Sequence, residues 1–308
     1  MTFVDPQAKA FLDALASAPV PPNDLQAQRA GFSALWRSMA PVAPASVTLS
    51  HHSVDSDSYG VDCLVYRPAS ARHGEDLPVI LFFHGGGGIM LSPEDFDATS
   101  RLLAHQVGAV VVAPRYRLAP EHPFPQPLND CIAVSRWLAG NAASWGGDSS
   151  RIAIVGDSAG GYLAAAVVQD ASRSGDATPV AQVLLYPMLD MAGAAPSRYD
   201  RAYFVTDEAL KGTIALHFGD AVLDPRASPL REPVLTGLPP TMIVTTDLDP
   251  LIDEGRAYAH RLRAAGVPVS YFCYEGQVHG FFSFGGAMDE GNRCVAHVAS
   301  WLRLVLMA

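Results

Sequence analysis

The chain has 308 residues, 49% apolar and 17% charged, with 26 glycines and 24 prolines, a balance that argues against disorder and for one large core with a lid. Its 21 basic and 31 acidic side chains leave a net charge of −10 with no Lys/Arg cluster, so nucleic acid and anionic membranes are poor partners. Cys63, Cys131, Cys273 and Cys294 form no CxxC pair and are too few for a disulfide framework, which removes zinc fingers and thioredoxin-type chemistry.

Residues 1–45 carry helical apolar spacing at 8–17 and 25–39, separated by Pro19-Val20-Pro21-Pro22-Asn23 and closed by Pro41 and Pro44. Two helices outside the main sheet, an N-terminal cap, are expected there. Asp5, Lys9 and Asp13 interrupt any apolar core before the small residues at 14–18, so no secretion signal is expected. The longest apolar stretches, 78–83 and 107–114, fall short of the roughly 18 residues of a membrane span. A cytoplasmic chain with no stable membrane association is the expectation. From residue 47 the pattern turns to strands: 61–66 alternates, while 79–83 and 109–113 are continuous apolar runs suited to strands buried on both faces. Further strands are predicted at 152–155, 182–186, 242–245 and 269–274, and helices at 130–140, 161–171, 253–265 and 292–306. This alternation predicts an α/β fold, a mostly parallel sheet flanked by helices. Residues 188–230 are longer than a crossover needs and hold a predicted helix at 207–218, a second candidate cap segment. The last helix and the final strand edge are candidate surfaces for a homodimer.

The segment Arg151-Ile152-Ala153-Ile154-Val155-Gly156-Asp157-Ser158-Ala159-Gly160-Gly161 reads as a strand, a G-x-S-x-G turn and the start of an Ala-rich helix, the context of a nucleophile elbow. A turn this tight excludes bulk two residues before and after the serine, and it leaves the Ala159 amide aimed at whatever Ser158 attacks. No Gly-Lys-Ser/Thr or G-x-G-x-x-G alternative is present. A serine needs a base and an acid, in the chain order Ser, acid, His on such a sheet. His217, His260 and His297 fall in predicted helices and read as surface or packing residues, whereas His279 follows the 269–274 strand in a loop and is the candidate base. Asp247 and Asp249 both follow the 242–245 strand, and position leaves the choice between them open; Asp253 and Glu254 read as helix-start residues. Upstream, His84-Gly85-Gly86-Gly87-Gly88 follows a buried strand, where consecutive glycines allow close backbone approach to a ligand.

These stretches, together with Tyr116-Arg117-Leu118-Ala119-Pro120-Glu121, Asp249-Pro250-Leu251 and His279-Gly280-Phe281, resemble the hormone-sensitive-lipase-like esterases of bacterial family IV, an α/β-hydrolase group, over about 61–301. The resemblance implies Ser158, Asp249 and His279 as the catalytic set and Gly86, Gly87 and Ala159 as oxyanion donors. It further implies that His84 braces the loop, that Tyr116 to Glu121 lie beneath the site, and that the N-terminal helices cap it. One departure stands out: such esterases usually carry a bulky aromatic after the three glycines, and here Gly88 and Ile89 follow. The expectation is a serine carboxylic-ester hydrolase acting on short to medium acyl esters through an acyl-enzyme, with no metal or organic cofactor. Amide, carbamate or lactone hydrolysis uses the same groups, and a small-ligand binding protein on this fold is the non-catalytic alternative. Phe204, Leu210, Ile214 and Phe218 are candidate lining or packing residues of the insertion.

Overall fold

The apolar run at 79–83 lies in strand β3 (Leu77–Phe83), every residue of which is buried. The computed structural model describes residues 3–18, 24–57, 59–72, 74–193, 195–197 and 203–307, so the Pro19 to Asn23 separator lies outside the described residues. Around β3 the other strands are β1 (Val47–Ser56), β2 (Tyr59–Pro68), β4 (Val110–Pro114), β5 (Gly147–Asp157), β6 (Ala181–Leu185), β7 (Thr241–Leu248) and β8 (Val269–Val278). They form one sheet in the order β1-β2-β4-β3-β5-β6-β7-β8. From β4 to β8 all neighbours are parallel, while β1 and β2 add an antiparallel end. The mostly parallel sheet expected from the alternation of elements is therefore present.

Period-two geometry sends alternate strand residues to opposite faces. Val79, Leu81 and Phe83 join Ile152, Ile154 and Ile243 in one core, and Ile80 and Phe82 join Ala153, Val155 and Val244 in the other. Helices α4 (Gln126–Asn141), α5 (Ala159–Ser174) and α7 (Ile252–Ala264) cover the first core through Leu138, Leu163 and Leu262; α3 (Asp97–Val107) and α8 (Asp289–Leu306) cover the second through Leu103 and Val298. Helix α3 is not singled out by apolar spacing, because Thr99 and Ser100 occupy buried positions where a periodicity reading expects hydrophobes. Among the described residues no helix is long and apolar enough to cross a membrane.

The N-terminal helices are α1 (Pro6–Ala16) and α2 (Leu25–Ser38), each opened by an aspartate that accepts from first-turn amides, Asp5 from Gln7 and Asp24 from Ala27. Trp36 of α2 is buried against Phe96 and Phe284. Arg29 straps α2 down: its guanidinium donates to the carbonyls of Ile89 (2.7 Å) and Ala119 (2.9 Å) and pairs with both oxygens of Glu121. Helix α6 (Asp207–His217) lies in the 188–230 insertion, capped by Thr206 and with Asp207 and Glu208 in its first turn. Glu254, buried at the start of α7, accepts from the amides of Leu189 (2.7 Å) and Asp190 (2.9 Å) and so anchors the beginning of that insertion.

Asp130 of α4 is fully buried and accepts from the Arg117 backbone amide (3.0 Å), Nε (2.9 Å) and Nη2 (2.7 Å). Removing the carboxylate strands a mostly buried guanidinium, so Asp130→Ala should cost about 3–5 kcal/mol in urea denaturation. A loss below about 1 kcal/mol, the size of an exposed pair, would contradict this reading.

Candidate active site

Strand β5 ends at Asp157 and α5 begins at Ala159, so Ser158 alone makes the turn, with φ 55° and ψ −117°. A non-glycine residue held in so sparsely populated a region stores about 1–3 kcal/mol of strain. Space dictates its neighbours. A Cβ at Gly156 would fall on the Gly160 carbonyl, and one at Gly160 on the Phe83 carbonyl. The Ser158 amide donates to the Leu185 carbonyl (2.9 Å), and the Ser158 carbonyl accepts from Met188 (3.1 Å), which fastens the turn to the end of β6.

His279 follows the end of β8, and its Nε2 stands 2.8 Å from Ser158 Oγ. Its Nδ1 stands 2.8 Å from Asp249 Oδ2. A carboxylate only accepts, so the ring proton sits on Nδ1 and Nε2 is left to receive the serine proton. Asp249 is fully buried just past β7, and its other oxygen accepts from the Leu251 amide at 2.9 Å. Asp247 goes elsewhere: its Oδ1 accepts from the Gly276 amide at 2.6 Å, where the register of β7 and β8 shifts. Asp253 and Glu254 do stand in the first turn of α7, and His297 meets Tyr274 at 3.0 Å.

Gly86 and Gly87 adopt φ 101° and 69°, and they line a cavity of ≈ 150 Å³ together with Ser158 and His279. Ala159 opens α5, where an amide has no intrahelical acceptor. His84 is buried, donates from Nδ1 to the Gly85 carbonyl (2.8 Å) and stacks on Tyr116, whose hydroxyl donates to the His84 carbonyl (2.6 Å). Burial pushes its imidazole down to about 4, so a neutral ring supports the loop. The apolar wall of the cavity comes from Phe32 and Trp36 of α2, from Met90 and Met188, and from Phe204, Val205, Ala209, Leu210 and Thr213 of the insertion. Of the four candidate insertion residues, Phe204 and Leu210 reach the cavity, while Ile214 and Phe218 pack into the core. Phe32, Trp36 and Thr213 were not legible as lining residues, because their helical spacing alone reads as core packing. Among the described residues no group of three or more His, Cys, Asp or Glu side chains is placed to hold a metal ion.

With this geometry in view, the family model described as the alpha/beta hydrolase fold matches residues 80–283. The chain belongs to this family. The hydrolase is 34% identical over 263 residues to esterase LipI of Mycobacterium tuberculosis, covering 82% of this chain and 81% of that protein. It is 33% identical to an ethyl acetate hydrolase of Pseudomonas putida, covering 79% and 83% of the two chains. Among solved structures, an ester-hydrolase from the metagenome of Lake Arreo superposes with a TM-score of 0.95 at 32% identity, covering 99% of this chain and 100% of that one. These likenesses uphold the resemblance to hormone-sensitive-lipase-like esterases read from the motifs.

One ionisable group beside the nucleophile has a measurable signature. Asp157 is fully buried against Gly85, where a Cβ would meet its Oδ2 at 2.6 Å, and burial pushes its carboxyl up to about 7. The folded chain therefore holds a proton between about pH 4 and 7 that the unfolded chain has released; this stability is complete below the unfolded value and is lost as pH rises through about 7. His84 and His217, both pushed down to about 4, act in the opposite sense but cancel when a variant is compared with its parent. Melting temperatures scanned across pH should show the parent losing stability relative to Asp157→Asn from about pH 4 to 7. Parallel curves would contradict the buried neutral carboxyl.

Proposed function

We propose that this hydrolase is a serine carboxylesterase that cleaves short to medium acyl esters through an acyl-enzyme. The observation that carries the reading is the hydrogen-bonded line from Ser158 through His279 to Asp249, at 2.8 Å on each side of the imidazole, opening into an apolar cavity. In this reading Ser158 Oγ attacks the ester carbonyl while His279 Nε2 takes its proton, and Asp249 holds the tautomer and stabilises the imidazolium that forms. The amides of Gly86, Gly87 and Ala159 meet the developing oxyanion, each donor contributing about 3–4 kcal/mol in comparable sites. His279 then protonates the departing alkoxide, and water, deprotonated by the same nitrogen, opens the acyl-enzyme.

Residues 1–45 and 188–230 form the cap over a catalytic domain of 46–308 in this reading. Phe32 and Trp36 from one segment and Phe204 and Leu210 from the other wall the same cavity, which supports it. The ring of Phe204 stacks on Phe32 at 6.1 Å and meets Phe11 edge-on at 5.1 Å, so α1, α2 and the 188–230 segment share one aromatic cluster. A cavity of ≈ 150 Å³ favours short acyl chains. The name of the ethyl acetate hydrolase relative supports the same substrate class.

A p-nitrophenyl ester series from acetate to palmitate tests the proposal. The wild type should prefer the short esters, and Ser158→Ala should keep its melting temperature while kcat falls by about 10⁴-fold or more. Phe204→Ala should move the optimum toward longer acyl chains by opening the wall. Wild-type turnover by folded Ser158→Ala would overturn the mechanism, and an unmoved optimum would remove Phe204 from the specificity argument.

A further inference from the structure

Gly88 is where the sequence departs from the pattern it resembles, and the structure shows what stands there instead. Gly86, Gly87 and Gly88 are three consecutive residues with positive φ, at 101°, 69° and 71°. Glycine has little intrinsic preference among such conformations, so a loop of this kind keeps its shape only if its peptide planes are held from outside. Each plane is rigid, so an N–H is aimed by whatever grips the carbonyl across the same bond.

The four carbonyls of 85–88 are each gripped. Gly85 accepts from His84 Nδ1 (2.8 Å), Gly86 from the amides of Ile89 (3.1 Å) and Met90 (3.0 Å), and Gly88 from the amide of Ala119 (2.9 Å). The Gly87 carbonyl is held by a side chain from a distant part of the chain, His217 Nδ1 at 3.1 Å. His217 ends α6, is fully buried, and lies stacked on Phe218 and nearly perpendicular to Tyr162. A Cβ at position 88 would fall on the Cε1 and Nδ1 atoms of this ring. Gly88 is thus the residue that lets the ring approach the loop, and His217 fills the space that a side chain at 88 would take.

We infer that His217 is a positioning residue: it fixes the Gly87–Gly88 peptide plane, the plane directly after the Gly87 amide, and by stopping rotation at Gly87 it holds the oxyanion loop in its working shape and links that loop to the helix of the 188–230 insertion. The inference rests on the esterase reading above. Two features suit the imidazole to this role. Its Nε2 is buried without a hydrogen-bond partner among the described residues, so the Gly87 carbonyl is the ring's one polar contact there. Burial pushes the ring down to about 4, which keeps it neutral, and because a carbonyl only accepts, its proton sits on Nδ1.

His217→Phe keeps a flat ring in the same space and deletes the donor, while His217→Asn restores an N–H near the position of Nδ1. Both are compared with wild type for kcat and KM on p-nitrophenyl butyrate, for melting temperature, and for inhibition by an aliphatic trifluoromethyl ketone, whose adduct on Ser158 carries an oxyanion. In His217→Phe, kcat should fall about tenfold, less than the 10²–10³ of losing a donor outright, with KM held within about twofold. The inhibition constant should rise by a matching factor, and His217→Asn should recover most of both losses. Gly88→Ala, which drives a Cβ into the ring from the loop side, should give the same kcat-selective loss and serves as the independent variant if His217→Phe folds poorly. Unchanged kcat and inhibition constant in folded His217→Phe, or a loss confined to KM, would overturn the inference while inactivity of Ser158→Ala leaves the esterase reading standing. Activity retained by Ser158→Ala would bring down the esterase reading instead.

Discussion

A side chain can stand free at the head of a parallel strand only if the chain reverses within one residue, and the turn at Ser158 is that reversal. It runs between β5 and α5 at φ 55°, a conformation that the sheet and helix must hold in place. Much of the neighbourhood follows from this. Gly156 and Gly160 must lack side chains because backbone carbonyls already fill the space, a Cβ at Gly161 would press on the Cβ and Cα of Pro187, and the Leu185 carbonyl of β6 holds the turn's amide. The central position of β5 in the sheet, between β3 and β6, lets the elbow take support from both sides.

The glycine loop solves a different problem. Its amides must stay aimed while its residues have the greatest conformational freedom of any in the chain. The solution is bracing by the adjacent His84, itself held by Tyr116, and by elements far apart in sequence: Ala119 from the segment after β4, and His217 from the insertion. The Tyr116 to Glu121 segment therefore does two tasks, supporting the loop and receiving Arg29 of α2. Both segments that wall the cavity are hydrogen-bonded to the glycine loop or the residue that follows it, so in the proposed mechanism a shift of either wall would be felt at the donors.

Legibility followed the range of the interactions involved. The strands and most helices showed themselves through local apolar periodicity, and the elbow through a steric requirement confined to five residues. Helix α3 did not, because the residues it buries include Thr99 and Ser100, whose polarity hides the face that packs. Asp247 and Asp249 could not be separated by position, since both lie at the end of β7. What separates them is the shift in pairing between β7 and β8, which turns Asp247 to the Gly276 amide and leaves Asp249 to meet His279. His217 read as a packing residue on its helix, and nothing near it in sequence announces a partner 130 positions away at Gly87.

Order of elements, the tight serine turn, the glycine loop and the presence of an acid and a base after them are written in short stretches of sequence, because each is enforced by sterics and hydrogen bonding among near neighbours. Which carboxylate reaches the imidazole, which aromatic rings bound the cavity and which side chain steadies the third glycine were decided only on folding. Those choices depend on distances between residues separated by tens to more than a hundred positions, and such distances exist only once the sheet has brought its strand ends together.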